Sequence, residues 1–87
     1  MKQLLLVAHA PSPNTGAMVE AVLRGAGHPD ISGVQVRHLP PLQAQPDDVL
    51  QADALILGTT ENLGYMSGAL KDFFDRIYYP CLEQTQG

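Results

Sequence analysis

Two short stretches of this chain, QLLLVA (3–8) and DALILGT (53–59), are apolar through their centres with no alternation. A strand with one face in water alternates apolar and polar residues, whereas a run that is apolar at both parities leaves no face for water. Such runs read as strands buried on both sides, as in parallel sheets flanked by helices. GVQVRHL (33–39) differs, because Val34 and Val36 alternate with Gln35 and Arg37. That pattern predicts a half-exposed strand at the edge of the sheet.

Helical spacing fills the intervals. Met18, Val19, Val22, Leu23 and Ala26 predict an amphipathic helix, with Asn14 or Thr15 as its N-cap and GAG (25–27) as its stop. Pro46 opens a short helix, PDDVLQA, with Asp47 and Asp48 in the first turn, where the helix dipole favours them. Met66, Ala69, Leu70, Phe73, Phe74 and Ile77 mark the clearest helix. Asp72 and Arg76 form a pair on its outer face, and YYP (78–80) ends it. The order is βαβαβα, which implies parallel strands joined by right-handed crossovers. At 87 residues the chain is a single domain spanning 1–87.

Composition excludes several classes. Apolar residues make up 45% of the chain, which argues against disorder. Five Lys and Arg against nine Asp and Glu give a net charge of −4, with no basic patch, so nucleic acid is not an expected partner. The longest apolar runs fall far short of the roughly 20 residues that a spanning helix needs, so no membrane association is expected. MKQLLLVAHA reads as a first strand rather than a signal peptide, since a histidine and two prolines follow its short apolar run. One cysteine, Cys81, forms no internal disulfide and fits the cytoplasm.

In an open parallel sheet, ligands bind beyond the carboxyl ends of the strands, where the strand order reverses. With strand 1 between strands 2 and 3, the loops at that point are 9–16 and 58–65. The first offers Ser12, Asn14 and Thr15 ahead of a helix, a pattern that suits anion binding but taken alone reads first as capping. Pro11 and Pro13 each remove an N–H donor. The second offers Thr59, Thr60, Glu61, Asn62, Gly64 and Tyr65, with glycines that permit close approach and a tyrosine able to cover an aromatic ring. An ordinary strand-to-helix turn fits that loop equally well. There is no G-x-G-x-x-G after the first strand and no G-K-[ST] loop. The first loop has no cysteine nucleophile, and His9, His28 and His38 lack metal-ligand spacing.

HAPSPNT after the first strand, together with GTTENLGYMSGALKDFFDR (58–76), resembles the flavodoxin-like flavoproteins, and more specifically their NADPH-dependent FMN reductase group. The second segment carries most of this likeness. The resemblance implies a flavodoxin-like three-layer α/β/α fold. The family has five parallel strands in the order 2-1-3-4-5, and this chain reads as order 2-1-3 without strands 4 and 5. It implies FMN at the switch point, with Ser12, Asn14 and Thr15 on the phosphate. Thr59, Glu61, Asn62, Gly64 and Tyr65 would line the ribityl chain and flavin ring. Thr60 departs from the proline frequent in the family.

The function so implied is FMN-dependent oxidoreduction, with NAD(P)H as electron donor and a flavin, quinone or similar small molecule as acceptor. One alternative is a flavodoxin-like electron carrier. Another is a truncated, non-catalytic half-domain that acts as an interaction module. Ending after the third helix, the chain reads as truncated. Strand 3 then becomes an exposed apolar edge, and a homodimer or other sheet-edge pairing is the expected assembly.

Overall fold

In the computed structural model, which describes residues 2–82, Leu5, Leu6, Val7 and Ala8 are all buried. Strand β1 (Lys2–Ala8) is therefore covered on both faces, as its unbroken apolar run requires. It forms the centre of a parallel sheet in the order β2-β1-β3, flanked by β2 (Val34–Leu39) and β3 (Ala54–Gly58). Helix α1 (Pro13–Ala26) joins β1 to β2, and α2 (Pro46–Gln51) joins β2 to β3. A two-stranded antiparallel hairpin, β4 (Glu61–Asn62) and β5 (Tyr65–Met66), separates β3 from α3 (Gly68–Cys81).

The two parities of β1 serve different layers. Leu5 and Val7 pack with Val49 of α2 and Leu70, Phe73 and Cys81 of α3, together with Ala44, to make the core. Leu6 and Ala8 face the other way and line a groove with Met18, Val19 and Val22 of α1. The sheet thus lies between α1 on one side and α2 with α3 on the other. The first layer is much the looser, for no residue of α1 is buried.

Three local expectations are corrected. The N-cap of α1 is Ser12, not Asn14 or Thr15. Pro13 explains this: at the first helical position its missing N–H is no loss, so the cap falls one residue earlier. Helix α3 starts at Gly68, which leaves Met66 in β5. It also runs through Pro80 to Cys81 instead of stopping at YYP. Pro80 lies in the last turn, where only one backbone bond is lost, and the Leu82 N–H closes the end on Tyr79 O at 3.2 Å.

Arg76 is likewise not an outer-face residue. Its Nε donates to Asp72 Oδ2 at 2.7 Å, while Nη1 reaches Ala44 O at 2.7 Å and Nη2 reaches Pro41 O at 2.5 Å. Pro41 and Ala44 are buried, so this guanidinium ties the 40–45 loop to α3.

The α2 N-terminus is held by Asp48. Its Oδ2 accepts from Gln45 N and its Oδ1 from Arg37 Nη2, both at 2.8 Å. The Gln45 N–H, helped by Arg37 and opposed by partial burial, holds the Asp48 carboxyl below the usual aspartate range. Folding thus favours the ionised form. The stabilisation is present above the ordinary aspartate pKa and is lost as pH falls through the lowered folded value. Asp48→Asn is expected to cost about 0.5–1 kcal/mol at pH 7. Urea unfolding at pH 7 and pH 3 checks this, and the difference from wild type should shrink at pH 3.

Among the described residues, no helix is long and apolar enough to cross a membrane. Among the described residues β3 bonds only to β1, and Leu55, Ile56 and Leu57 are 39%, 38% and 42% exposed, so the both-faces burial expected of 53–59 is not met.

Candidate functional site

The carboxyl ends of β1 and β3 lie side by side. Ala8 is in register with Gly58, and the His9 N–H donates to Gly58 O at 3.0 Å. A Cβ added at Gly58 would sit 3.0 Å from Ala8 Cβ, so a side chain there would push the two strand ends apart by a few tenths of an ångström. The loops that leave these ends, 9–12 and 59–67, therefore start from one point.

The first loop delivers its hydroxyls to the start of α1. Ser12 Oγ accepts from Thr15 N at 3.3 Å, and Thr15 Oγ1 accepts from Ser12 N at 3.1 Å, a reciprocal capping box. The two hydroxyls also lie 3.0 Å apart, within hydrogen-bond reach of one another. Capping thus employs Ser12 and Thr15. Asn14 is exposed, and neither its side chain nor its N–H has a partner among the described residues.

The second loop is organised by Thr59. Its hydroxyl donates to Thr60 O at 2.8 Å and accepts from Ser67 N at 2.9 Å. Ser67 is 1% exposed, and its Oγ caps α3 by accepting from Leu70 N at 3.3 Å. One threonine thus pins both ends of the hairpin, at the exit of β3 and the entry to α3. Within the hairpin, Asn62 pairs with Tyr65, and Asn62 Nδ2 donates to Thr60 Oγ1 at 3.3 Å. The two residues between them, Leu63 and Gly64, have φ of 52° and 77°. Paired left-handed residues suit the twist of a tight hairpin. At Gly64 this conformation is free of strain, but at Leu63 it is not.

Thr15 and Thr59 meet on one groove of about 350 Å³ that runs between α1 and β3. Its polar lining consists of these two residues and His9, whose buried Nδ1 has no hydrogen-bond partner among the described residues. Its body is apolar. Of the expected site residues, Ser12 bonds directly to Thr15, and Thr59 faces the same space. Ser12 and Asn14 do not themselves line the groove, and neither do Glu61, Asn62, Gly64 and Tyr65. These last four stand exposed on the hairpin that follows the carboxyl end of β3.

Two residues with a part in this arrangement do not stand out in the sequence. Ser67 is hidden because a serine ahead of a helix looks like any other cap. Leu63 is hidden because a leucine between EN and YM does not signal a two-residue hairpin turn. Leu63 is fully exposed, which is unusual for a leucine in a strained conformation. Leu63→Gly is expected to stabilise the chain by about 1 kcal/mol. A rise in the urea midpoint checks this, and a fall would show that the freedom glycine adds to the unfolded chain outweighs the strain relieved at this position.

Cys81 is removed from any such chemistry. It packs in the core below α3, and burial, with Asp47 adding to it, pushes its thiol pKa up and keeps it protonated. No group of three or more His, Cys, Asp or Glu among the described residues is arranged to hold a metal ion.

No protein-family model matches the chain. A flavodoxin of Aquifex aeolicus is 34% identical over 77 residues, covering 88% of this chain and 40% of the relative. An NAD(P)H dehydrogenase (quinone) of Acidithiobacillus ferrooxidans is 29% identical, covering 87% of this chain and 47% of the relative. The chain spans less than half the length of either relative. A parallel sheet in the order 2-1-3 between two helical layers, together with similarity to a flavodoxin along most of its length, gives this chain a flavodoxin-like α/β fold.

Proposed function

We propose that the chain binds FMN across the carboxyl ends of β1 and β3 and serves NAD(P)H-dependent reduction of a flavin, quinone or similar acceptor. The observation that carries this reading is the convergence of Thr15, from the first turn of α1, and Thr59, from the loop after β3, on one groove at the strand ends. Both relatives carry redox names, flavodoxin and NAD(P)H dehydrogenase (quinone), and so point the same way.

The donor set fits the ligand. Ser12, Asn14 and Thr15 are neutral donors at the positive end of the α1 dipole, suited to a phosphate. Asn14 is the residue in this set without a partner among the described residues, which leaves it for the ligand. The acidic hairpin residue Glu61 would repel a phosphate, which orients the anionic end toward α1 and the flat ring toward Gly64 and Tyr65. Thr59 acts chiefly through position, because its hydroxyl is already committed to Thr60 and Ser67. When bound, FMN supplies the hydride and electron transfer chemistry itself, and the protein contributes binding and orientation.

Titrating FMN into the purified chain, read by quenching of flavin fluorescence and by visible absorbance, tests this directly. Saturable binding at one FMN per chain is expected. A chain that stays colourless would reject the proposal and leave the interaction module. Asn14→Ala is expected to weaken FMN binding about 5- to 10-fold with unchanged folding, as befits the loss of one hydrogen bond. The first relative's name favours a second reading, an electron carrier that makes no use of nicotinamide. Flavin-loaded protein that fails to oxidise NADH or NADPH would select it.

A further inference from the structure

We propose that His9 carries its ring hydrogen on Nε2 and donates it to an acceptor oxygen on the ribityl phosphate chain of the ligand, as the one side-chain donor on the groove that the fold leaves unused. The choice of ligand rests on the FMN reading above, whereas the placing of the hydrogen does not.

The other donors on the groove are already engaged. Its polar lining is His9, Thr15 and Thr59. A threonine hydroxyl has one hydrogen to give. That of Thr15 stays inside the capping box, where Ser12 O and Ser12 Oγ both lie 3.0 Å away. That of Thr59 goes to Thr60 O at 2.8 Å. Neither hydroxyl can serve an incoming acceptor without giving up a bond that shapes its loop. The imidazole of His9 makes no hydrogen bond among the described residues.

Burial decides which nitrogen is the donor. In a neutral imidazole one nitrogen carries the hydrogen and the other a lone pair. Nδ1 is buried and without a partner among the described residues. A buried N–H with no acceptor is rare in folded proteins, and an unfilled acceptor is somewhat better tolerated. The hydrogen therefore belongs on Nε2. Nδ1 is already enclosed by the described residues, so further polypeptide could bring it a partner only by displacing them.

The donor is also held in place. The His9 N–H bonds Gly58 O at 3.0 Å, which fixes the backbone to both strand ends. One edge of the ring is sunk in the protein, while the residue as a whole is only half-buried, which leaves the Nε2 edge to the groove. A donor fixed in this way loses little freedom when a ligand arrives. It recognises acceptor oxygens, in which a ribityl phosphate chain is rich, and its bond to an ionised oxygen is charge-assisted.

Two measurements on the full chain test this. The first is nitrogen-15 NMR of labelled histidine at about pH 8, where an ordinary imidazole is neutral. With His9 assigned through its backbone, Nε2 should show the hydrogen and Nδ1 the lone pair. The second is FMN titration of variants whose folding is confirmed by circular dichroism. His9→Gln reaches as far as Nε2 with an amide donor and should bind within about 2-fold of wild type. His9→Asn reaches only as far as Nδ1 and should bind about 5- to 10-fold more weakly. A hydrogen on Nδ1, wild-type affinity in His9→Asn, or a loss in His9→Gln as large as that in His9→Asn would each overturn the proposal. Binding kept by Asn and lost by Gln would overturn it too, by showing the ring turned over with Nδ1 toward the ligand. A wild type that binds no FMN would reject the function proposed above and this ligand with it, and the NMR of the free chain would still decide the hydrogen's position.

Discussion

Arg76→Ala is expected to destabilise the chain by about 3 kcal/mol. The guanidinium donates to the carbonyls of Pro41 and Ala44, two buried residues of the loop between β2 and α2. Removing it leaves both carbonyls without a donor in a site that water enters poorly, and each such loss costs about 1–3 kcal/mol. Arg76→Lys keeps the charge but not the planar fork that reaches two carbonyls at once, so it should recover only part of the stability. Asp72→Ala, which removes only the exposed partner, should cost about 0.5 kcal/mol or less. Urea unfolding of the three variants decides the matter. If Arg76→Ala lies within about 1 kcal/mol of wild type, the clamp is ornamental and the loop is held by packing alone.

Phe73→Ala is expected to cost about 3–5 kcal/mol. Phe73 has no exposed surface and packs among Leu5, Val7, Val49 and Leu70, where α3, α2 and β1 meet. Domains of this size have little stability to spare, so most of the molecules should be unfolded or loosely packed at 37 °C. Phe74 provides the control. Its ring centroid lies 5.5 Å from that of Phe73, but it is only half-buried, so Phe74→Ala should be clearly milder. Thermal melts followed by near-ultraviolet circular dichroism distinguish the two. Equal losses would mean that the core is centred elsewhere.

The first strand is legible because burial on two faces leaves a direct trace in composition, but the same reading of 53–59 is corrected by the structure, where Leu55, Ile56 and Leu57 of β3 are 39%, 38% and 42% exposed. Leu4 to Ala8 admit only apolar residues, and the alternation of Val34 and Val36 with polar neighbours marks the edge. Strand order is not contained in these patterns: it is implied by the resemblance, and the sheet bears it out as β2-β1-β3. The position of the candidate loops comes with it, since they are the segments that leave the first and third strands. Hidden features are those fixed by long-range contacts. Arg76 looks like half of a surface pair when only Asp72 is in view, and nothing local reveals Pro41 and Ala44 more than 30 residues away. The hairpin formed by Glu61–Asn62 and Tyr65–Met66 is obscured by Leu63, because a two-residue turn of this kind ordinarily shows asparagine or glycine at that position. Ser12 is overshadowed as a cap by Asn14 and Thr15, which are equally good capping residues, and only the preference of Pro13 for the first helical position separates them.

The lack of any buried residue in α1 has a kinetic meaning. Local opening costs least where little apolar surface is removed from water, so α1 should leave and rejoin the sheet far more often than α3, which is anchored by Leu70, Phe73 and Cys81. Ser12, Asn14 and Thr15 all ride on that mobile unit, while Thr59 belongs to the anchored one. A ligand that bridges the two would stitch the fluctuating layer to the steady one. Its arrival would then register first as slowed amide exchange along α1, well beyond the few residues it touches.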